Sequence, residues 1–159
     1  MSTIRTGFGY DVHRFGGSGP VVLCGVEIGH DRGIIATSDG DVAAHAVADA
    51  ILGAAVIGDL GTEYPSDSPE SQGANSLAMV SRCMVKAQDR GFEVSGVDVT
   101  IVAQDVRIAP HRDAMRQKLA DALHIAVGQV SVKGKTTDGL GFIGAGEGLA
   151  AHAVVTLQR

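Results

Sequence analysis

A single-domain α/β or α+β fold, one sheet layer with helices on one face, is what the sequence predicts, and three observations carry that reading. Strand-like and helix-like segments alternate along the chain, as they do when helices cover a sheet. The length of 159 residues fits one domain, 1–159, and is enough to bury most of the surface an unfolded chain exposes. The composition is globular, with 45% hydrophobic and 19% charged residues and no repeat, linker or low-complexity segment. Aromatics are only 4% and Trp is absent, so the core has to come from Val, Ile, Leu and Ala. A mean hydropathy of +0.17 is high for so small a chain and hints at apolar surface buried between subunits.

Taken in order, "IRTGFGYDVH" (4–13) begins strand-like, and "VVLCGVEI" (21–28) reads as a strand interrupted at Gly25. Residues 29–40 form a loop that enters a helix of about 16 residues at Asp41. "GDLGTEYPSDSPESQG" (58–73) is a long polar connection with two prolines, of a length that is usually functional or mobile. A second helix runs from Ser76 to Arg90 and ends at Gly91, where a C-cap glycine belongs. "VDVTIVAQ" (97–104) alternates and then turns apolar, as a buried strand does. A third helix follows Pro110 and runs to His124, with Ala114, Leu119 and Leu123 on its inner side. "VSVKGKTT" (130–137) is a strand running into a loop, "GLGFIGAGEG" (139–148) is glycine-rich, and "LAAHAVVTL" (149–157) is a closing strand.

Composition also excludes some roles. The net charge is -5, with no run rich in Lys and Arg, which argues against nucleic acid or a membrane surface as partner. Cys24 and Cys83 have no zinc or redox spacing and read as reduced core residues. No segment has the pattern of a signal peptide or the roughly 18 apolar residues of a membrane span, so a soluble cytoplasmic protein is expected.

Three stretches carry chemistry. In the first helix the polar side chains are Asp41, His45 and Asp49, spaced by four and therefore on one face. That stripe is either a thin solvent-facing edge, with Asp41 favouring the helix N-terminus, or one wall of a site. In "DVH", Asp11 and His13 are two apart on a strand and project from the same side. Together with His45 they would supply three ligands that suit Zn2+ and leave one position open, with Asp49 a candidate carboxylate behind it, but spacing alone also fits an ordinary polar strand face. Finally, "VKGKTTDG" (132–139) puts two lysines, two hydroxyls and Asp138 at a strand's end, a set able to hold phosphates and a hard divalent ion. It lacks P-loop order, and by itself it reads more readily as a polar turn.

In this order, "GYDVHRF", "SDGDVAAHAVADAILGAA", "GDLG", "VDVTIVAQ", "APH", "TTDGLGF" and "GEG" resemble the 2-C-methyl-D-erythritol 2,4-cyclodiphosphate synthase family over essentially the whole chain. The resemblance implies an α+β sandwich with a four-stranded mixed sheet, assembled as a homotrimer with active sites between subunits. It implies Zn2+ (or Mn2+ or Co2+) on Asp11, His13 and His45, and Mg2+ or Mn2+ on Asp138 bridging the substrate's diphosphate. It further implies a cytidine diphosphate-type substrate, with Asp59 and Gly61 at the ribose and Ala103, Arg107, Ile108 and Ala109 around the cytosine. Thr37 and Thr136 take the catalytic positions, with Lys135 beside the phosphates. Ser38, Tyr64, Ser66, Ser68, Thr137, Phe142 and Ala145 complete the implied substrate-contacting set.

The implied reaction is an intramolecular phosphoryl transfer that closes a cyclodiphosphate and expels CMP. The family pattern has His at position 37, acids at 66 and 68, Pro-Lys at 106–107, Thr at 135 and Arg at 145, where this chain has Thr37, Ser66, Ser68, Val106, Arg107, Lys135 and Ala145. Two alternatives accordingly stay open. One is a diverged relative that keeps fold and metal but takes another nucleotide or phosphate ester; the other is a metal-stabilised structural or binding protein.

Overall fold

The structure, a computed structural model, describes residues 2–159. Its strands are β1 (Ile4–Phe15), β2 (Val21–Leu23), β3 (Val26–Ile28), β4 (Ile34–Ile35), β5 (Glu93–Val102), β6 (Val130–Lys135) and β7 (Gly148–Gln158). The helices are α1 (Val42–Ala55), α2 (Leu60–Glu63), α3 (Ser76–Asp89), α4 (Arg112–Leu123) and α5 (Gly141–Gly144). One mixed sheet runs β4-β1-β7-β5-β6, antiparallel except for the β5–β6 pair. Helix α1 lies across its inner face, and α3 packs on α1.

The expected sheet of four strands is corrected to five. The four long strands are there, and the fifth is β4, two residues that pair with Arg14 and Phe15 at the edge. So short a rung is held by its neighbour and leaves no periodic pattern to read. The stretch 21–28 is also corrected: the interruption at Gly25 is a reversal, and β2 and β3 form a separate antiparallel hairpin. Cys24 and Gly25 both have positive φ, 47° and 73°, the backbone a tight two-residue hairpin requires. Cysteine is a poor residue for that conformation, but the Asp41 carboxylate accepts the N–H of Cys24 at 2.9 Å and of Gly25 at 2.6 Å. It also accepts from Ala44 N–H at 3.0 Å, capping α1. Asp41 is therefore fully buried in backbone bonds and is not part of an exposed stripe.

In α4 the inner side is Met115, Leu119 and Leu123, while Ala114 is exposed; the turn Ala109–His111 precedes the helix and shifts its start to Arg112. The long connection 58–73 contains α2 and a short 3-10 turn at Pro69–Ser71. Both cysteines are buried and free.

The core is aliphatic, as the composition requires. What positions the site is the closeness of α1 to β1. A Cβ added at Gly7 would lie 1.9 Å from Ala50 O, and one at Gly9 would lie 1.8 Å from Ala46 O. These two glycines let the helix rest directly on the strand backbone. Gly7, Gly9, Asp11 and His13 share the inner face by alternation, so the contact that seats α1 also brings its His45 against Asp11 and His13. The outer face of β1 is apolar and exposed, with Phe8 at 62%, Tyr10 at 47% and Val12 at 40%.

Candidate metal centre and phosphate cavity

Asp11, His13 and His45 converge at the floor of an open cleft. His45 Nδ1 is 3.0 Å from Asp11 Oδ2 and 3.2 Å from His13 Nε2, and His13 Nε2 is 3.5 Å from Asp11 Oδ2. Donors held tetrahedrally at 2.0–2.2 Å from a metal stand about 3.3–3.6 Å apart, so the triangle is close to a metal-binding face. His13 Nδ1 lies 2.8 Å from Val12 O, and a carbonyl accepts only. That nitrogen therefore carries the ring proton, and a bare Nε2 faces the other two ligands. A carboxylate and a bare imidazole nitrogen directed at one point fit a divalent cation. Among the described residues this is the group of three metal-type donors that comes together, all within 4.8 Å.

The cleft above the triad has a volume of about 480 Å³ and is also lined by Thr37, Ser38, Gly61, Tyr64 and Ser66. Asp49 lines it as well, but its carboxylate accepts Leu60 N–H at 2.9 Å, so it fastens α2 and does not stand behind the metal ligands. Asp59 is the N-cap of α2; the Thr62 hydroxyl and amide hold its carboxyl below the usual range. Ser68 caps the turn at Pro69. Neither of these two lines the cleft.

A second cavity of about 600 Å³ gathers Ala103, Arg107, Ile108, Ala109, Lys135 and Thr136, with Arg112 beside them. Gly134 permits it: a Cβ there would sit 2.8 Å from Ile108 Cβ, so the loop after β5 lies directly on β6. Three cations against one acid, Asp105, make this cavity electropositive and suited to phosphate. The turn after β6 stands at its rim, where Gly139 N–H donates to Gln104 Oε1 at 3.1 Å. Asp138 is on that turn, exposed and with φ 56°, a conformation aspartate tolerates. It belongs neither to the triad nor to the lining of its cleft. Thr137 closes the same turn on Leu140 O, while Phe142 and Ala145 belong to α5 and its end, outside both cavities.

Two residues at the centre escaped the sequence reading. Ser76 Oγ lies 2.8 Å from His45 Nε2, and Asp39 accepts both the hydroxyl and the N–H of Ser76. Their only sequence signal is that Ser76 follows a cap, Asn75, at the end of a long loop; nothing local ties them to His45.

The geometry defines a class: a single-layer α+β protein with a three-donor group able to hold a metal in an open cleft and a separate cationic cavity. The YgbB family model matches residues 4–158, and the chain belongs to the YgbB family. A 2-C-methyl-D-erythritol 2,4-cyclodiphosphate synthase of a Shewanella species is 49% identical over 156 residues, covering 98% of this chain and 97% of that one. Among solved structures, the bifunctional IspDF of Campylobacter jejuni is 40% identical with a TM-score of 0.96, covering all of this chain and 43% of its own. IspF of Plasmodium falciparum in a CDP complex is 30% identical with a TM-score of 0.85, covering 97% of this chain and 95% of its own. No helix among the described residues is long and apolar enough to cross a membrane.

Proposed function

We propose that this chain is a lyase of isoprenoid biosynthesis. It converts 4-diphosphocytidyl-2-C-methyl-D-erythritol 2-phosphate to 2-C-methyl-D-erythritol 2,4-cyclodiphosphate and releases CMP. The observation that carries the proposal is the three-donor triad, in a chain about half identical, over nearly its whole length, to enzymes named for that product. In the reaction an oxygen of the 2-phosphate attacks the β-phosphorus, and the bond from that phosphorus to the oxygen of the CMP phosphate breaks. No protein nucleophile is needed, so catalysis is positioning and charge stabilisation.

Asp11, His13 and His45 would hold Zn2+, or Mn2+ or Co2+ in its place, and Asp138 would take Mg2+ or Mn2+. When bound, these ions supply positive charge to phosphoryl oxygens. The chain's own groups do the rest. Lys135, Arg107 and Arg112 draw the anionic substrate into a protein that is itself acidic. Thr136 and Lys135 donate to the phosphates, and the backbone at Ala103, Ile108 and Ala109 frames the base. Asp59 and Gly61 take the ribose. Thr37 and Ser38 stand over the triad on the methylerythritol side with Tyr64 and Ser66, and Ser68 lies on the same connection outside the cleft. Thr137, on the turn after β6, and Phe142 and Ala145, in the glycine-rich segment, line neither cavity on one chain and would meet the ligand only where copies join.

The triad cleft and the cationic cavity are separate on one chain. The exposed apolar outer face formed by Phe8, Tyr10, Val12 and Val154 supports assembly of copies, in a homotrimer, so that the cleft of one meets the cavity of the next.

Asp11→Ala tests the role of the metal. The expected result is CMP release lower by ~100-fold or more, with an unchanged circular dichroism spectrum and oligomer size. A variant that unfolds would assign the ion a structural role instead.

A further inference from the structure

His13 has its tautomer fixed by a carbonyl, but His45 does not: its Nε2 faces two hydroxyls, and a hydroxyl either donates or accepts. Ser76 Oγ is 2.8 Å away and Ser38 Oγ 3.1 Å. The difference is made one step further out. Asp39 receives the Ser76 hydroxyl on Oδ1 and the Ser76 N–H on Oδ2, the latter at 3.0 Å. An ionised carboxylate has no proton to give, so the single hydroxyl proton of Ser76 goes to Asp39. Toward His45, Ser76 Oγ then presents only lone pairs and requires a proton on Nε2. Ser76 is fully buried, and no water competes for that role.

A neutral imidazole has one ring proton, so with Nε2 protonated Nδ1 is bare, and Nδ1 is the nitrogen that faces Asp11 and His13. Asp11, 3.0 Å from Nδ1, draws the same proton in the opposite direction when no cation is present. Ser38 adds no firm preference, since it already accepts Gly40 N–H at 3.2 Å and its own proton is free to turn into the cleft.

We propose that Asp39 and Ser76 are positioning residues, a hydrogen-bond relay that holds His45 with Nδ1 bare toward Asp11 and His13 and thereby sets the triad's affinity for its divalent cation. The inference rests on the metal reading above. It also assigns a purpose to the long connection between α1 and α3. Backbone bonds from Asp39 N–H to Ala74 O at 3.1 Å and from Gly73 N–H to Thr37 O at 2.8 Å tie that connection to the loop before α1. The first residue of α3 is thus delivered to His45.

The test is zinc affinity at neutral pH, measured by competition with a chromophoric chelator on the full chain, with thermal melts of the zinc-free proteins as a fold control. Ser76→Ala leaves Nε2 without its acceptor, and Asp39→Asn places an amide donor against Ser76, turning the hydroxyl proton back toward His45. Each is expected to weaken zinc binding by about 10–100-fold. Because Asp39 acts through Ser76, the double variant should bind zinc no more weakly than Ser76→Ala alone, a non-additivity that general loosening of the loop would not produce. Ser76→Ala within twofold of the wild type, or additive losses in the double variant, would overturn the relay. A wild type that binds no zinc at all would overturn the metal reading itself.

Discussion

Asp41 and His45 are four residues apart on one helix, yet the structure gives them opposite tasks. His45 faces the cleft, whereas Asp41 is buried beneath the β2–β3 hairpin with three N–H groups on its carboxylate. Burial pushes that carboxyl up to about 6, against the pull of the three donors, and Asp39 nearby adds to the rise. A carboxyl whose folded pKa lies above its unfolded one contributes stability that is greatest at low pH and fades as the pH climbs through the folded value. Asp41→Asn takes away this dependence and one acceptor. The variant should be less stable throughout, and the wild type's advantage should shrink by on the order of 2 kcal/mol between pH 4 and pH 7 in urea titrations. A constant advantage over that range would show that Asp41 keeps an ordinary pKa. At this scale the convergence of Asp11, His13 and His45 was readable, because alternation in a strand and four-residue steps in a helix each put side chains on one face. Ser76 and Asp39 were not, since their contact with His45 depends on where a long connection returns.

At the scale of elements, the packing of α1 on β1 makes the site. The strand presents glycines where most strands present aliphatic residues, and the helix answers with Ala46 and Ala50. The site is therefore built on rigid backbone, with two imidazoles and a carboxylate set by the distance between helix and strand. Gly9→Ala would place a methyl 1.8 Å from Ala46 O and force the two apart. A loss of about 3 kcal/mol is expected, read as a fall in Tm of about 10 °C, together with weaker zinc binding. A variant of wild-type stability would mean that the helix is free to shift. The alternating helices and strands were legible from hydrophobic periodicity, and the four long strands came out close to their expected positions. The β2–β3 hairpin was not legible, because its turn is Cys-Gly, stabilised by a carboxylate sixteen residues away, and not the Asn-Gly or Asp-Gly that signals such turns. Neither was β4, whose two residues carry no pattern of their own.

For the whole molecule, the outward side of the sheet is as informative as the inward side. β1 buries glycines and exposes Phe8, Tyr10 and Val12, the reverse of an isolated domain's economy, and this is the face the proposed homotrimer would cover. In the proposed homotrimer, copies joined there would set the triad cleft against a cavity that carries three cations, as a substrate with phosphates and a nucleoside would require. The residues that differ from the family pattern, Thr37 in the cleft and Lys135 in the cavity, lie where the ligand would touch the chain, while all three triad residues are kept. On the proposed reading, the departures from the family pattern fall on substrate contact and not on metal holding. The most direct measurement is incubation of the purified protein with 4-diphosphocytidyl-2-C-methyl-D-erythritol 2-phosphate and Mg2+ or Mn2+, following CMP and the cyclodiphosphate together. The account predicts that the two products appear in equal amounts and that a chelator abolishes both; no CMP under any metal condition would contradict it and leave a relative that handles another phosphate ester.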